Sequence, residues 1–262
     1  MTGKPMDLSE FTERMARDGW VIIDSVLPMA SVERMRADLD RAYAVCRDTQ
    51  IRNGVYSETD GTVHHVIGLG DSFLDYIQHL PLMPFYEAYF HGAFILNSFG
   101  GAINSRHTRT YAHRVHRDIR SFSGHLPLVL NTLIMLDDFT PDNGATYLMT
   151  GSHLADDKPS DEAFYARADR ALGTAGSLLM FNSNLWHAGG DNTTDRPRRS
   201  MTPLFCKPFL KQGFDYPRAL GYDRAGLTDT GRQILGYNSR TPASLDEWYQ
   251  PPDKRMYKPG QG

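Results

Sequence analysis

The sequence predicts a mainly β fold, a sandwich or barrel, with helices in front of it. After about residue 91, short apolar or alternating runs recur between Gly, Pro, Asn and Asp, which is typical of strands joined by turns. Before that point the apolar residues recur mainly at helical spacing. With 40% hydrophobic and 23% charged residues among 262, the chain has the composition of a globular protein that can bury a core.

The helical part covers about residues 1–90. A first helix ends at Gly19, a β-rich strand follows it, and two further helical patterns complete this part. Prolines interrupt the last pattern because proline cannot donate a helical hydrogen bond. The predicted elements are helix 8–18, strand Trp20–Ile23, helix 31–46, and helix 71–90 with Pro81 and Pro84 within it.

The β part covers about residues 91–210, and a tail over about 211–262 follows it. Because the chain has no internal repeat and no linker-like segment, residues 1–262 are predicted to form a single domain. The tail could be a lid over the barrel mouth or a homodimer interface. The predicted elements are strands 94–96, 112–116, 128–136, 145–149, 177–181 and 201–205, a helical insertion at 161–172, and a helix at 228–235.

Charge and cysteine content exclude several classes of protein. A formal net charge of −3 provides no basic field for nucleic acid. Cys46 and Cys206 are too few and too distant for a disulfide framework or a thiolate zinc cluster, which indicates a reducing compartment. The sequence shows neither a signal-peptide pattern nor an apolar run of bilayer length. We therefore expect a cytoplasmic protein with no nucleic-acid or membrane partner.

Most of the ten histidines are predicted to be structural. A lone histidine is more often a surface or hydrogen-bonded residue than a ligand. The histidines without a partner at an interpretable spacing are His64, His65, His79, His91, His107 and His125.

His116-Arg117-Asp118 is a candidate metal-binding motif. On a β-strand, positions i and i+2 project from the same face, so an imidazole and a carboxylate at this spacing can reach one ion. The motif alone has little specificity, because ten histidines and 31 acidic residues in 262 give about one such triplet by chance.

A second segment, 177–190, gives the motif more weight. It contains an apolar strand followed by His187 and a Gly-Gly turn, which places His187 at a strand end near a barrel mouth. His116, Asp118 and His187 would then form a facial triad that leaves three positions of an octahedral ion open. This arrangement suits ferrous iron with a bidentate cosubstrate and dioxygen. The alternative is that His187 packs as an ordinary loop residue.

An arginine-rich segment follows the His187 turn. If 198–205 is a strand, Arg198, Ser200 and Thr202 share one face, on which a guanidinium and a hydroxyl can hold a carboxylate. The alternative is a solvated basic turn at the start of a strand.

Several segments, taken in their order along the chain, resemble one known family. They are Asp18-Gly19-Trp20-Val21-Ile22-Ile23, His116-Arg117-Asp118, Leu136-Asp137-Asp138 with Asn143-Gly144, Thr150-Gly151-Ser152-His153, His187-Ala188-Gly189-Gly190 and Asp195-Arg196-Pro197-Arg198-Arg199. Together they resemble the phytanoyl-CoA dioxygenase family of iron(II)- and 2-oxoglutarate-dependent oxygenases over most of the chain. The resemblance implies a double-stranded β-helix, a cupin-like jelly roll with N-terminal helices packed on it.

The resemblance also implies a ligand set. His116, Asp118 and His187 would bind Fe(II), with 2-oxoglutarate and O2 as cosubstrates. Arg198, eleven residues after the distal histidine, would pair with the far carboxylate of 2-oxoglutarate, with Ser200 as a helper on the same strand face. The rival arginines are Arg196 and Arg199, and strand alternation puts Arg199 on the wrong side.

His113 departs from the family pattern. It stands three residues before the proximal ligand, where several relatives have a glutamine that touches the cosubstrate. His113 could therefore contact 2-oxoglutarate or lie on the barrel wall. Asp118 keeps the ligand carboxylate that halogenating relatives replace with a small residue, which argues against halogenation.

The activity implied by the resemblance is oxidation of a small-molecule substrate at a C–H bond, as a hydroxylase, with release of succinate and carbon dioxide. Desaturation, ring closure or epimerisation would need the same ligands. Two other hypotheses are a metal hydrolase that uses the same site with zinc and a non-catalytic jelly-roll binding module. A basic strip could contact an anionic substrate or form a solvated strand face; its residues are Arg106, His107, Arg109, Tyr111, Arg114, Arg117 and Arg120.

Overall fold

A computed structural model describes residues 6–256 of the chain. The strands are β1 (Trp20–Ile23), β2 (Thr62–Val63), β3 (Ile95–Asn104), β4 (Val129–Met135), β5 (Tyr147–Leu148), β6 (Asp169–Arg170), β7 (Leu178–Asn182), β8 (His187–Ala188) and β9 (Arg198–Cys206). The helices are α1 (Leu8–Arg17), α2 (Met29–Arg52), α3 (Asp71–Gln78), α4 (Met83–Phe90), α5 (Asp161–Tyr165), α6 (Tyr216–Leu220), α7 (Asp229–Ile234) and α8 (Leu245–Trp248).

Two antiparallel sheets form a jelly roll, which confirms the predicted fold class. The major sheet has the strand order β1-β7-β4-β9-β3-β2, and the minor sheet has the order β6-β5-β8. Neighbours in the major sheet come from distant parts of the sequence, as when β7 pairs with both β1 and β4. The helices of the N-terminal part pack on the major sheet, as the resemblance implied.

Alternation along the strands assigns the two faces of the major sheet. In β7, Leu178 and Met180 enter the large core shared with the helices, whereas Leu179 and Phe181 enter a second cluster on the opposite face. The large core also receives fully or almost fully buried side chains from the helices of the N-terminal part, among them Phe11, Leu39, Phe73 and Phe90. The opposite face is therefore the one available for a site.

Several predicted elements have other bounds in the structure, and two differ in kind or in much of their length. The strand over 112–116 is wrong: a 3-10 turn, Tyr111–His113, occupies this segment because Thr110 and His113 satisfy each other's backbone groups as a capping box. The helix over 161–172 is too long, since α5 ends at Tyr165 and Asp169–Arg170 pairs with β5 instead.

Much of the tail packs into the body of the protein. Tyr216 and Tyr237 are buried in the large core, and the Tyr237 hydroxyl donates to the carbonyl oxygen of Gly221 at 2.9 Å. Trp248 and Tyr249 remain exposed, so a lid or interface role stays a prediction for that end. Within residues 6–256, no helix combines the length and the apolar character that a membrane span requires.

Candidate active site

His116, Asp118 and His187 lie together on the inner side of the jelly roll. The Nε2 atom of His116 is 3.5 Å from Oδ1 of Asp118, and Nε2 of His187 is 3.4 Å from Oδ2 of the same carboxylate. One ligand atom from each residue lies within 4.8 Å of the other two, and no second group of this kind occurs within residues 6–256. The structure thus brings together the three residues proposed as metal ligands.

Backbone pairing between two segments that are distant in sequence brings these side chains together. His116 and His187 form an isolated antiparallel bridge, in which each N–H donates to the other residue's carbonyl oxygen at 2.9 Å. β8 also pairs with β5, so the minor sheet fixes the position of His187. Asp118 follows in a bend, and the side-chain amide of Asn131 on β4 donates to its Oδ2.

Both histidines are oriented for metal binding by a hydrogen bond at the other ring nitrogen. The Nδ1 atom of His116 donates to the Arg114 carbonyl oxygen at 2.7 Å, and Nδ1 of His187 donates to that of Leu185 at 3.0 Å. Because a carbonyl can only accept, Nδ1 carries the proton in each neutral ring and Nε2 presents a lone pair. Histidine ligands of protein metal sites are held in this way, so these side chains fit a divalent metal.

The electrostatics of the cluster ionise Asp118 and keep His187 uncharged. Burial alone would raise the pKa of Asp118, but the charges of His187 and His116 and the hydrogen bonds from His116 and Asn131 lower it to about 2. Burial lowers the pKa of His187 to about 4. At neutral pH the carboxylate is therefore ionised and His187 is uncharged, as metal ligation demands. For His116, burial lowers the pKa but the hydrogen bond and charge of Asp118 outweigh it, so its pKa lies above 6.5 and a metal ion would displace a proton from this ring.

Arg198 and Ser200 lie on the same face of β9, as the strand alternation predicts. The Arg198 side chain is buried, and it donates to the Ser200 hydroxyl and to the Gly144 carbonyl oxygen, each at 3.1 Å. Its guanidinium lies over the Phe139 ring, 4.2 Å from the centroid. Burial lowers the pKa of Arg198 to about 10, so it stays a cation at neutral pH.

Arg198 has no carboxylate partner at ion-pair distance within residues 6–256, and its buried Nε has no hydrogen-bond partner there. The rival arginines differ from it. Arg199 contacts Asp137 at 3.4 Å and Asp40 at 3.5 Å, and Arg196 is exposed. Arg198 is thus the arginine that combines burial, positive charge and free donor capacity.

One cavity of about 240 Å³ joins these residues. His116, Asp118, His187, Arg198 and Ser200 all line it, whereas the ring of His113 does not. His113 instead accepts from the Thr110 N–H at 3.2 Å through Nδ1, and its buried Nε2 has no hydrogen-bond partner in the described chain. A contact between His113 and 2-oxoglutarate therefore stays a prediction.

Sequence reasoning missed two histidines of the cavity wall. His64 and His65 both line the cavity, although they were assigned to structural roles. They occur just after β2, and His65 has a left-handed backbone with φ of 54°. No glycine marks this turn and no spacing links it to His116, so the sequence carries no signal for it.

Three of the five arginines in the basic strip form structural ion pairs. Arg117 pairs with Asp156 at 3.0 Å and stacks on Trp186. Arg106 pairs with Asp195 at 2.9 Å, and Arg109 lies 3.6 Å from Asp191. Of this strip, only Tyr111 lines the cavity, which favours the solvated interpretation over contact with an anionic substrate.

The fold and the cluster together define a class: a jelly-roll protein whose two histidines and one carboxylate suit a non-haem iron centre. Comparison with known proteins agrees, since the profile of phytanoyl-CoA dioxygenase (PhyH) matches residues 15–200. The chain belongs to the phytanoyl-CoA dioxygenase family.

Two individual relatives each match about half of the chain. The uncharacterized protein Rv1501 of Mycobacterium tuberculosis is 46% identical over 151 residues, which are 56% of this chain and 54% of that protein. The chain thus spans about half the length of this curated relative. The iron/alpha-ketoglutarate-dependent dioxygenase penM of Penicillium thymicola is 29% identical over 154 residues, 53% of this chain and 47% of that protein.

Among solved structures, the fold resembles that of the epimerase SnoN in complex with Fe3+, alpha ketoglutarate and nogalamycin RO. The TM-score is 0.61 at 18% identity, covering 84% of this chain and 93% of that one. At this identity the likeness concerns the fold.

Proposed function

We propose that the protein is an iron(II)- and 2-oxoglutarate-dependent dioxygenase that hydroxylates a C–H bond of a small molecule and releases succinate and carbon dioxide. Iron and 2-oxoglutarate are its cofactors, in keeping with its family, its relative penM and the composition of its cluster. One observation carries the proposal. Three metal-donor atoms share a cavity with a buried arginine that has no carboxylate partner in the described chain.

His116, Asp118 and His187 hold the metal and leave its remaining positions to the cosubstrates. When bound, iron and 2-oxoglutarate activate O2 and supply the oxidising power for C–H cleavage. Asp118 would contribute one negative charge to a divalent ion, so the three ligands would leave the site cationic and suited to an anionic cosubstrate. Asn131 holds the carboxylate in place through its hydrogen bond.

Arg198 binds the other carboxylate of 2-oxoglutarate. Burying a cation without a counter-charge costs several kcal/mol, so a dianionic ligand that reaches Arg198 restores the missing charge partner. The hydrogen bond to Ser200 and the contact with Phe139 fix the plane of the guanidinium, and a fixed fork suits a carboxylate. Gly144, which accepts from the same guanidinium, anchors it to the loop before β5.

Apolar side chains keep water from one side of the metal ligands. The Phe181 ring meets the His187 ring edge-on with centroids 4.9 Å apart, and Leu133 lines the same cavity. A site with little free water strengthens the charge interactions of Asp118 and Arg198.

An anaerobic titration tests the proposal. Iron(II) followed by 2-oxoglutarate should produce the weak visible charge-transfer band of the chelate. A His116→Ala variant should lose this band because it lacks one of three ligands. Arg198→Met should keep the band and bind 2-oxoglutarate about tenfold to a hundredfold more weakly, the scale expected for a charged hydrogen bond.

Arg196→Met is the matched control, because Arg196 is an exposed arginine two residues away. Its affinity for 2-oxoglutarate should equal that of the wild type. A wild-type protein that gives no band, or an Arg196 variant as weak as the Arg198 variant, would contradict the proposal.

A further inference from the structure

The side chains of β9 that face the cavity change from charged to polar to apolar along the strand. Arg198, Ser200, Thr202 and Leu204 alternate onto the cavity face, so the row runs from a cation through two hydroxyls to an apolar side chain. The cation end belongs to the cosubstrate under the proposed function. The other end is therefore available for the substrate.

β3 completes this end of the cavity with small, uncharged residues. Ser98 is paired with Leu204 and Gly100 with Thr202 in the sheet register. The hydroxyls of Ser98 and Thr202 make no hydrogen bond to other residues within 6–256, although both residues line the cavity. A Cβ on Gly100 would lie 3.2 Å from the Thr202 hydroxyl, so glycine keeps that hydroxyl accessible.

His64 and Tyr111 face each other at the cavity mouth. His64 Nε2 is 3.1 Å from the Tyr111 hydroxyl, and the two rings are stacked with centroids 6.5 Å apart. This pair joins the turn after β2 to the 3-10 turn that precedes His116. Behind it, the His65 ring stacks on Phe214 at 4.4 Å, which fixes the unusual backbone of the turn.

The charges of the cavity lining indicate which class of substrate can bind at the Thr202 end. Apart from imidazoles, the cavity lining contains two ionisable groups that are charged at neutral pH, Asp118 and Arg198. Both are assigned to the metal and the cosubstrate. A carboxylate or phosphate placed between Thr202 and Tyr111 would meet hydroxyls but no cationic side chain, and a charge that loses part of its hydration without a charged partner is disfavoured.

We propose that the substrate is an uncharged molecule with an apolar skeleton and hydroxyl or carbonyl groups, and that His64 and Tyr111 bind one of these oxygens. This inference rests on the proposed function, which assigns Asp118 and Arg198 elsewhere. The free hydroxyls of Ser98 and Thr202 offer further uncharged partners deeper in the cavity. His64 and Tyr111 are specificity residues outside the cluster of proposed metal ligands.

Matched probes that differ only in charge test the substrate class. The anaerobic chelate of iron(II), 2-oxoglutarate and wild-type protein is titrated with naphthylmethanol against naphthoate, geraniol against geranate, and cyclohexylmethanol against cyclohexanecarboxylate. Binding is measured by calorimetry and by the change in the chelate band. At least one alcohol should bind, and its carboxylate should bind about tenfold or more weakly.

Variants at the mouth test the two specificity residues. Tyr111→Phe and His64→Leu should each weaken binding of the alcohol about fivefold, the scale of one neutral hydrogen bond. The affinity for 2-oxoglutarate should not change. His107→Leu and Tyr249→Phe are the controls, because both side chains are exposed and neither lines the cavity.

Three results would overturn the inference alone: carboxylates that bind as well as their alcohols, no alcohol bound up to its solubility limit, or control variants as weak as the mouth variants. Each of these presumes a normal chelate band. If the band is missing before any probe is added, the proposed function fails and the inference fails with it.

Discussion

His153 is a buried imidazole whose two ring nitrogens have different surroundings. Nε2 donates to the Ala16 carbonyl oxygen at 3.2 Å, whereas the buried Nδ1 has no hydrogen-bond partner within residues 6–256. Nδ1 lies against Gly19, where a Cβ would be only 2.4 Å away. Burial lowers the pKa of His153 below 6.5, because a second proton on this ring would have no acceptor.

The lowered pKa of His153 predicts that the stability of the protein depends on pH. A histidine whose pKa is lower in the folded state contributes full stability above its unfolded pKa of about 6.5 and loses it as pH falls below that value. Between about pH 7.5 and about pH 5.5, the wild type should therefore lose stability, by up to about 1.4 kcal/mol per pH unit from this group. His153→Asn should show a smaller loss in urea unfolding.

His107→Asn serves as the reference, since His107 is exposed. Its loss of stability over the same range should match the wild type. An equal loss in the His153 and His107 variants would contradict the assignment.

At the scale of elements, α3 receives its N-terminal cap from another helix. Gly70 precedes α3 and has no side chain to cap it. Asp38 of α2 instead accepts from the Ser72 N–H at 2.9 Å and from the Ser72 hydroxyl at 2.5 Å. The carboxylate thereby satisfies an orphan donor of the helix and joins α2 to α3.

Removal of this cap should destabilise the fold. Asp38→Ala should lower the free energy of unfolding by about 2 kcal/mol, because a buried N–H and hydroxyl lose their acceptor. Asp48→Ala is a matched control: Asp48 is also on α2 and pairs with Arg52 at 2.8 Å, but its side chain is 73% exposed. The control should cost less than about 0.5 kcal/mol in chemical denaturation, and equal costs would refute the capping role.

The sequence predicts an element correctly where residues within that element determine its structure. The strand over 20–23 and the helix interruption near Pro81 follow from the residues themselves, and the structure confirms both. The strand over 112–116 was wrong because a capping box between Thr110 and His113 outweighs apolar alternation. His116 and Asp118 do lie close together, as their i and i+2 spacing predicts. They do not lie on a regular strand, however, since His116 forms only an isolated bridge with His187.

At the scale of the whole molecule, one core joins the helices to the major sheet and to the tail. It contains Phe11 of α1, Leu39 of α2, Phe205 of β9 and Tyr216 of α6. Because these elements share buried contacts, residues 1–262 should unfold as one domain in a single cooperative transition.

Two probes can compare different parts of the molecule. Far-UV circular dichroism is dominated by the helices. Tryptophan fluorescence reports Trp20 and Trp186, which lie in hydrophobic clusters outside the large core, and also the exposed Trp248, whose signal a Trp248→Phe variant removes. The two urea transitions should coincide. Separate midpoints would mean that the helical part and the jelly roll are distinct domains.

The sequence by itself determined the order and chemical identity of the proposed metal ligands, and the strand alternation that puts Arg198 beside Ser200. Those features depend on motifs and on a period of two residues, which are local properties. Only the tertiary structure decided that His64, His65 and Tyr111 share the cavity, and that Arg198 is buried without a carboxylate partner in the described chain. Both depend on packing between segments far apart in sequence, and no local pattern encodes which segments will meet.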